Sequence, residues 1–231
     1  MPEFKEFKNS DTLVAVLAAQ VAELLRAGIK ARGQASLVVS GGSTPVPFFT
    51  ALSGLALAWQ QVVITLADER WVEPGEADSN EHLVRRYLLQ NRAAAARFVG
   101  LKTGAVTAVQ GEKECADRLA LVPTPFDVLI LGMGNDGHTA SLFPQATRLS
   151  EAMKMNSGKL CLAITPPTAP HERMTLTLPA LLNSRRIILH LAGPGKRAVY
   201  GRALANGMVA KMPIRAVLRQ TIVPVTVFWC P

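Results

Sequence analysis

Short apolar runs recur along the chain, and none of them alternates with polar residues. Such runs are typical of strands that are covered on both faces. Most of the stretches between them are long enough for a crossover helix. Six strands are predicted in this way, over residues 36–40, 61–68, 126–132, 159–164, 186–193 and 225–230.

The first helix has the clearest helical period. Apolar residues recur every three or four positions between residues 13 and 25, so they share one helical face. Ser10 or Asp11 is the predicted N-cap, and Gly28 is expected just past the helix end.

Strands and helices therefore alternate, which predicts an α/β fold with an open, mainly parallel sheet and helices on both faces. No repeat or linker interrupts this order, so residues 1–231 are expected to form a single domain. The Pro-rich stretch 165–173 and the segment 145–158 are predicted to be loops.

Composition narrows the protein class. No run approaches the roughly 18 apolar residues that span a bilayer, and the first residues lack the apolar core of a secretory signal. We therefore expect a cytoplasmic protein without membrane contact. Cys115, Cys161 and Cys230 are far apart in sequence, which predicts reduced, mostly buried thiols without a disulfide or a metal site.

The net charge of +8, from 25 Lys and Arg against 17 Asp and Glu, raises the question of nucleic-acid binding. The cations are scattered, and aromatic residues form only 6% of the chain, too few to interleave with them as stacking platforms. A small anionic substrate or solvated charged faces explain the excess charge as well or better, so no nucleic-acid partner is expected.

In sheets of this kind, ligands bind at the carboxyl ends of the strands. The first predicted strand ends at Gly41, Gly42, Ser43 and Thr44, and Pro45 can occupy the first turn of the next helix. Glycine N–H groups, two hydroxyls and a helix N-terminus are suited to a phosphate. The alternative is an ordinary turn with a Ser or Thr cap. No Walker motif is present, because no Gly-Lys-Ser/Thr follows.

The second strand is followed by charged residues at the same edge. Asp68 is a candidate base or orienting group, and Arg70 is a candidate ligand for a carboxylate or phosphate. A surface turn with a local ion pair is the alternative.

The third strand leads into the loop at residues 132–138, whose sequence GMGNDGH matches the dinucleotide fingerprint G-x-G-x-x-G. Pro144 follows too soon for the long helix that this fingerprint requires, so nucleotide binding is not favoured. The loop instead places Asp136 beside His138, which makes His138 the best catalytic histidine. His82 and His190 are expected to pack or to face solvent, and no role is predicted for His171.

Two further segments supply cations. Arg173 precedes a strand-like MTLT, and Lys196 begins a helix after a Gly-Pro-Gly turn. A lysine at a helix N-terminus is unfavourable unless an anion lies there, so Lys196 is a candidate phosphate ligand. For either residue the alternative is a solvated charge.

Five motifs taken together resemble the 6-phosphogluconolactonase family, which shares its fold with glucosamine-6-phosphate deaminase. In chain order they are SGGSTP, ADERWV followed by DSN, LGMGNDGHTASLFP, ERMTLTLP and GPGKRAV, spread over residues 40–198. The resemblance implies a Rossmann-like domain and cytoplasmic hydrolysis of 6-phospho-D-glucono-1,5-lactone without metal or organic cofactor. In the deaminase-type loop a glutamate follows the histidine by five residues, and here Phe143 stands at that position.

The roles expected for this chemistry divide into two groups. His138 would activate water, Asp136 would hold the loop or the imidazole, and Arg70 or the N–H groups of residues 134–137 would stabilise the oxyanion. The phosphate would be held by the segment 41–44 together with Arg173 and Lys196. No G-x-S-x-G nucleophile motif is present. A sugar-phosphate sensor is disfavoured because there is no room for a DNA-binding segment before the first predicted strand, and a monomer or small homo-oligomer is expected.

Overall fold

A computed structural model describes residues 2–231. Ten strands and eight helices follow one another along this part of the chain. In order they are β1 (Glu3–Glu6), α1 (Ser10–Arg32), β2 (Ala35–Val39), α2 (Val46–Ser53), β3 (Val62–Leu66), β4 (Asp68–Arg70), α3 (Asn80–Tyr87), β5 (Arg97–Val99), α4 (Ala108–Leu119), β6 (Val128–Leu131), α5 (Leu149–Ala152), β7 (Cys161–Ile164), β8 (Arg173–Leu176), α6 (Leu178–Leu182), β9 (Ile187–Ala192), α7 (Pro194–Leu204), α8 (Ile214–Arg219) and β10 (Val225–Cys230).

Seven strands form one parallel sheet in the order β1-β10-β9-β6-β2-β3-β5. The chain moves towards β5 after β2, and towards β10 after β6. Because parallel crossovers are right-handed, these opposite directions place α1–α3 on one face and α7–α8 on the other. The predicted α/β class and the mainly parallel sheet are confirmed. The direction of winding changes between β2 and β6, where ligands bind in such sheets.

A second sheet of three antiparallel strands, in the order β4-β8-β7, lies outside the parallel one. All six predicted strands are present, but the one at 161–164 joins this small sheet. The connection from β7 to β8 is the predicted Pro-rich loop, which is too short for a crossover helix and therefore produces an antiparallel pair. The segment 145–158, predicted as a loop, contains the single turn α5.

The ends of α1 differ from the prediction. Asn9 is the N-cap, and its side chain accepts a hydrogen bond from the N–H of Thr12 at 3.0 Å. The helix continues to Arg32 and ends at Gly33, which adopts φ 75° and donates its N–H to the carbonyl of Ile29. Gly28 lies inside the helix, where an added Cβ would come within 2.8 Å of the Asp127 carboxylate. Its role is close packing rather than termination.

By length and composition α1 could cross a membrane, with a mean hydropathy of 1.6 over an 18-residue window. Gln20, Glu23 and Arg26 interrupt its apolar residues, so it is not an unbroken apolar run of the length that spans a bilayer. A core helix meets the same criterion, and α1 packs against α2, β2 and β10. Its buried residues are Leu13, Val14, Leu17, Ala18, Val21, Ala22, Leu25 and Gly28.

The three cysteines are free and buried. Cys115 on α4 and Cys161 on β7 come together, although they are far apart in sequence. A hydrogen bond with Cys161, followed by burial, raises the pKa of the Cys115 thiol. Both effects keep this thiol protonated and unreactive.

Candidate active site

A cavity of about 450 Å³ opens at the carboxyl ends of β2, β6 and β9, where the winding of the sheet reverses. It brings together the motifs that follow three separate strands. Its polar lining includes Ser40, Gly41, Gly42, Ser43, Thr44, Asp68, Arg70, Asn80, Gly134, Asn135, His138, Thr139, His190 and Lys196.

The segment Gly41–Thr44 forms one wall, and its hydroxyls remain available to a ligand. Gly42 adopts φ 98°, a backbone conformation that favours glycine. Ser43 and Thr44 are exposed, and neither makes a side-chain cap on α2. The alternative of an ordinary Ser/Thr cap is therefore not what the structure has. Pro45 is itself the N-cap residue, one position before the first turn in which it was expected.

Asn80 supports this wall from behind. A Cβ on Gly41 would lie only 1.8 Å from the Asn80 side-chain oxygen, so no larger residue fits there without displacing Asn80. The amide nitrogen of Asn80 donates to the carbonyl of Asp68 at 2.8 Å. Asn80 is 2% exposed and was not among the predicted site residues. Its place in DSN, just after the charged strand end, was the available signal.

Asp68 and Arg70 both lie on the cavity wall, carried by β4. Asp68 is 8% exposed, and its carboxylate accepts a hydrogen bond of 2.6 Å from the hydroxyl of Ser141. This bond connects β4 to the loop that carries the candidate histidine. Arg70 donates to the carbonyl of Asp78 at 2.5 Å.

His138 is held by Asp136. Its Nδ1 lies 2.6 Å from the Asp136 carboxylate, and its backbone N–H donates to the same oxygen at 3.1 Å. An ionised Asp136 accepts the proton of Nδ1, which leaves Nε2 as a free base. His138 lines the cavity and Asp136 stands behind it, outside the lining. The ring of Phe143 packs on the imidazole with centroids 4.2 Å apart, at the position of the deaminase glutamate.

Some N–H groups of the loop around His138 already donate hydrogen bonds within the loop. Gly134 donates to the carbonyl of His138 at 2.9 Å, and Gly137 donates to the carbonyl of Gly134 at 3.0 Å. Two of the four N–H groups expected to face an oxyanion are therefore already bonded. Asn135 and Asp136 carry the two that remain candidates.

Lys196 also lies on the cavity wall, in the first turn of α7. Its ammonium donates to the side-chain oxygen of Asn135 at 2.8 Å. Burial lowers the pKa of Lys196, while the charge of Asp136 opposes that effect. A bound anion would favour the charged form of this lysine.

Arg173 lies directly opposite Arg70, in the antiparallel pair of β4 and β8. It is 6% exposed, and its Nε has no hydrogen-bond partner in the described part of the chain. Burial and the charge of Arg70 lower the pKa of Arg173. It is not among the residues that line the cavity, so its role as a phosphate ligand stays a prediction.

The other histidines occupy different environments. His190 packs edge-on against Phe48 and also lines the cavity, so the expectation of packing was right but incomplete. Its Nδ1 and the hydroxyl of Ser40 have no hydrogen-bond partner among residues 2–231. The only feature of the sequence that pointed to a place at the cavity was the position of both residues near the ends of predicted strands. His82 lies on α3. His171 is half-exposed, and its Nε2 lies 3.2 Å from the carboxylate of Asp78.

Residues 8–229 match the family described as Glucosamine-6-phosphate isomerases/6-phosphogluconolactonase. The chain belongs to this family. Among its relatives, the 6-phosphogluconolactonase of Pseudomonas putida is 45% identical over 98% of this chain and 92% of that protein.

Solved structures of family members superpose closely. A 6-phosphogluconolactonase from Shewanella baltica is 51% identical with a TM-score of 0.98, covering 100% of this chain and 98% of that one. A monomeric glucosamine-6-phosphate deaminase has a TM-score of 0.78 at 18% identity, covering 99% and 97%, which shows the shared fold alone. Within residues 2–231, no group of three or more His, Cys, Asp or Glu side chains could hold a metal ion.

Proposed function

We propose that the protein hydrolyses 6-phospho-D-glucono-1,5-lactone to 6-phospho-D-gluconate, the second step of the oxidative pentose phosphate pathway, with His138 as the general base. The observation that carries this proposal is His138, which is held by Asp136 and lines a cavity together with the segment 41–44 and Lys196. Relatives named 6-phosphogluconolactonase that cover nearly the whole chain support the same reaction.

The chemistry requires few groups because a lactone is already an activated ester. His138 Nε2 takes a proton from water as the water oxygen bonds to C1. The tetrahedral intermediate then collapses, the bond from C1 to the ring oxygen breaks, and the imidazolium returns its proton to that oxygen. Asp136 keeps the imidazole in the required tautomer and stabilises its charged form.

Charge develops on the carbonyl oxygen during the attack. Arg70 and the N–H groups of Asn135 and Asp136 are assigned to stabilise it. Asp68, fixed by Ser141, orients the groups around the reacting carbon.

In this proposal the phosphate binds between the segment 41–44 and Lys196. The N–H groups of Gly41 and Gly42, the hydroxyls of Ser43 and Thr44, and the ammonium of Lys196 supply its donors. Arg173 adds positive charge behind Arg70. Binding the phosphate at a distance from C1 uses its binding energy to orient the lactone.

Phe143 favours this reaction over sugar ring opening. The ring contact of Phe143 with His138 supplies no carboxylate that could share proton transfer with the histidine. We also propose cytoplasmic activity on this small molecule, as a monomer or small homo-oligomer, rather than action on nucleic acid or at a membrane.

The decisive experiment is hydrolysis of freshly generated 6-phosphogluconolactone beside unphosphorylated gluconolactone, each read above a protein-free blank. We expect fast turnover of the phosphorylated substrate only. No acceleration of either lactone would refute the proposal.

Lys196→Ala tests the phosphate end separately. Loss of a hydrogen bond to a charged group corresponds to a rise in KM of about 10- to 100-fold, with kcat little changed. Lys113→Ala is the matched control, because Lys113 is exposed and pairs only with Asp117. A fall in kcat at unchanged KM would contradict this assignment.

A further inference from the structure

Glu69 is a carboxylate that the proposed reaction does not use. It lies on β4 between Asp68 and Arg70, and it is 0% exposed although both neighbours line the cavity. A buried carboxylate is costly unless donors surround it. Its position therefore calls for an explanation.

Four hydrogen bonds surround the Glu69 carboxylate. One oxygen accepts from the N–H groups of Arg70 and Asn80, both at 2.7 Å. The other accepts from the N–H of Glu81 at 2.7 Å and from the hydroxyl of Ser79 at 3.0 Å. Three of these donors belong to the start of α3, so the carboxylate joins β4 to the N-terminus of that helix.

The residues fixed by these bonds reach the cavity. Asn80, held through its backbone, donates its side-chain amide to the carbonyl of Asp68 and packs on Gly41. Arg70 is held through its own N–H. The carboxylate of Asp68 accepts from Ser141, which lies beyond His138 in the histidine loop. One buried carboxylate thus bonds directly to the backbone of two cavity-lining residues, Arg70 and Asn80, and Asn80 in turn bonds to Asp68.

We infer that Glu69, in its ionised form, is a positioning residue that fixes Asp68, Arg70 and Asn80 in the geometry needed for lactone hydrolysis. The inference rests on the proposed function. Glu69 does not touch the cavity itself, so it acts through these three neighbours.

Ionisation matters because all four bonds are donated to Glu69. A protonated carboxyl would direct an O–H towards a donor and lose at least one of them. Burial raises the pKa of Glu69 to about 7, against the hydrogen bonds, which lower it. The charged groups around it are Asp68 and Arg70 on β4, Arg173 on β8, Glu81 on α3 and Asp78 in the preceding loop.

The test uses Glu69→Gln. Whichever oxygen is replaced, an NH₂ group faces a backbone N–H, so the support of the cavity is disturbed while side-chain size is kept. We expect kcat/KM for 6-phosphogluconolactone to fall about 10- to 100-fold. The matched control is Glu112→Gln, because Glu112 on α4 also accepts a backbone N–H, from Ala163 at 2.9 Å, but is not among the cavity-lining residues. Its kcat/KM should stay at the wild-type value.

The pH profile separates positioning from simple stabilisation. In the wild type, protonation of His138 removes activity and protonation of Glu69 lowers it further, so log(kcat/KM) should fall with a slope approaching two just below pH 7. In Glu69→Gln only His138 remains, and the slope should be about one. A role confined to stability would leave the slope unchanged.

Ser79→Ala provides a second variant if Glu69→Gln does not fold. It removes one donor to the carboxylate, and kcat/KM should fall about two- to fivefold, because three backbone N–H groups still hold the carboxylate in place. With an active parent, wild-type kcat/KM and acid slope in Glu69→Gln would overturn the inference alone, and if that variant does not fold, wild-type kcat/KM in Ser79→Ala would do so. A parent that opens the lactone no faster than the blank would remove the proposed function, and the inference with it.

Discussion

Two histidines line the same cavity and differ in almost every physical respect. His138 has its side chain 30% exposed and lies 2.6 Å from a carboxylate. His190 is 6% exposed, and its Nδ1 has no partner in residues 2–231. Burial lowers the pKa of His190 to about 4, so it is neutral at pH 7.

The difference shows what makes a histidine a base. Accepting a proton creates a cation, and only His138 has a neighbouring carboxylate and solvent access to stabilise that cation. His190 would have to become charged among apolar strand residues and the ring of Phe48. A position on the cavity wall is therefore not enough to make a histidine a catalytic base.

The largest expected effect comes from removing the partnered histidine. His138→Ala should lower kcat by about 10²- to 10⁴-fold with little change in KM, since general base catalysis is lost and phosphate binding remains. Steady-state hydrolysis of 6-phosphogluconolactone measures both constants. His82→Ala is the control, because His82 is not among the lining residues. A higher KM at unchanged kcat would assign His138 to binding.

Removing only the partner should have a smaller effect. In Asp136→Asn the charge that stabilises the imidazolium is lost, while the side-chain shape is kept. A hydrogen bond to a charged group contributes about 1.5–3 kcal/mol, which corresponds to a fall in kcat of about 10- to 100-fold. The same steady-state assay measures this effect. Equal kcat values in variant and wild type would show that Asp136 only holds the loop backbone.

The smallest effect on activity is expected from His190→Phe, whose kcat should stay within about tenfold of the wild type because no proton transfer is lost. What should distinguish this variant from the wild type is how the free energy of unfolding depends on pH. The folded-state pKa of about 4 lies below the ordinary value of 6.5, so the unfolded chain binds the extra proton and wild-type stability falls as pH drops from 6.5 to 4.

Phenylalanine cannot take up that proton. The free energy of unfolding of His190→Phe should therefore decrease less over this range, by up to about 3 kcal/mol, since each pKa unit is worth about 1.36 kcal/mol. Urea unfolding at several pH values checks this. Parallel stability curves for the two proteins would show that His190 is not buried as a neutral ring.

The apolar patterns predicted the central strands well because buried parallel strands are continuous apolar runs. They missed β1, β4 and β5, which are edge strands and include charged residues such as Glu3, Arg70 and Arg97. Three or four residues of mixed character leave no periodic signal. Pairing partners were equally out of reach, so the small antiparallel sheet was not foreseen.

Within the site, sequence reasoning located residues that follow strands or lie in glycine-rich turns. It named the segment 41–44, Asp68, Arg70, His138 and Lys196, and the structure gathers them in one cavity. It missed Asn80, and it expected His190 to pack or to face solvent rather than to line the cavity. Asn80 starts α3, which comes next to the other site residues only in the folded chain. The protonation state of His190 depends on its burial. Neither is visible in local spacing.

The pairing of Arg70 with Arg173 across β4 and β8 has a consequence for the lifetime of the protein. Like charges directly opposite each other across two strands oppose folding. An anion bound beside them would relieve that repulsion and stabilise the folded state in proportion to its concentration and affinity. Resistance to heat and to proteases should then rise and fall with the supply of sugar phosphate, and the ligand-free protein should be cleared first.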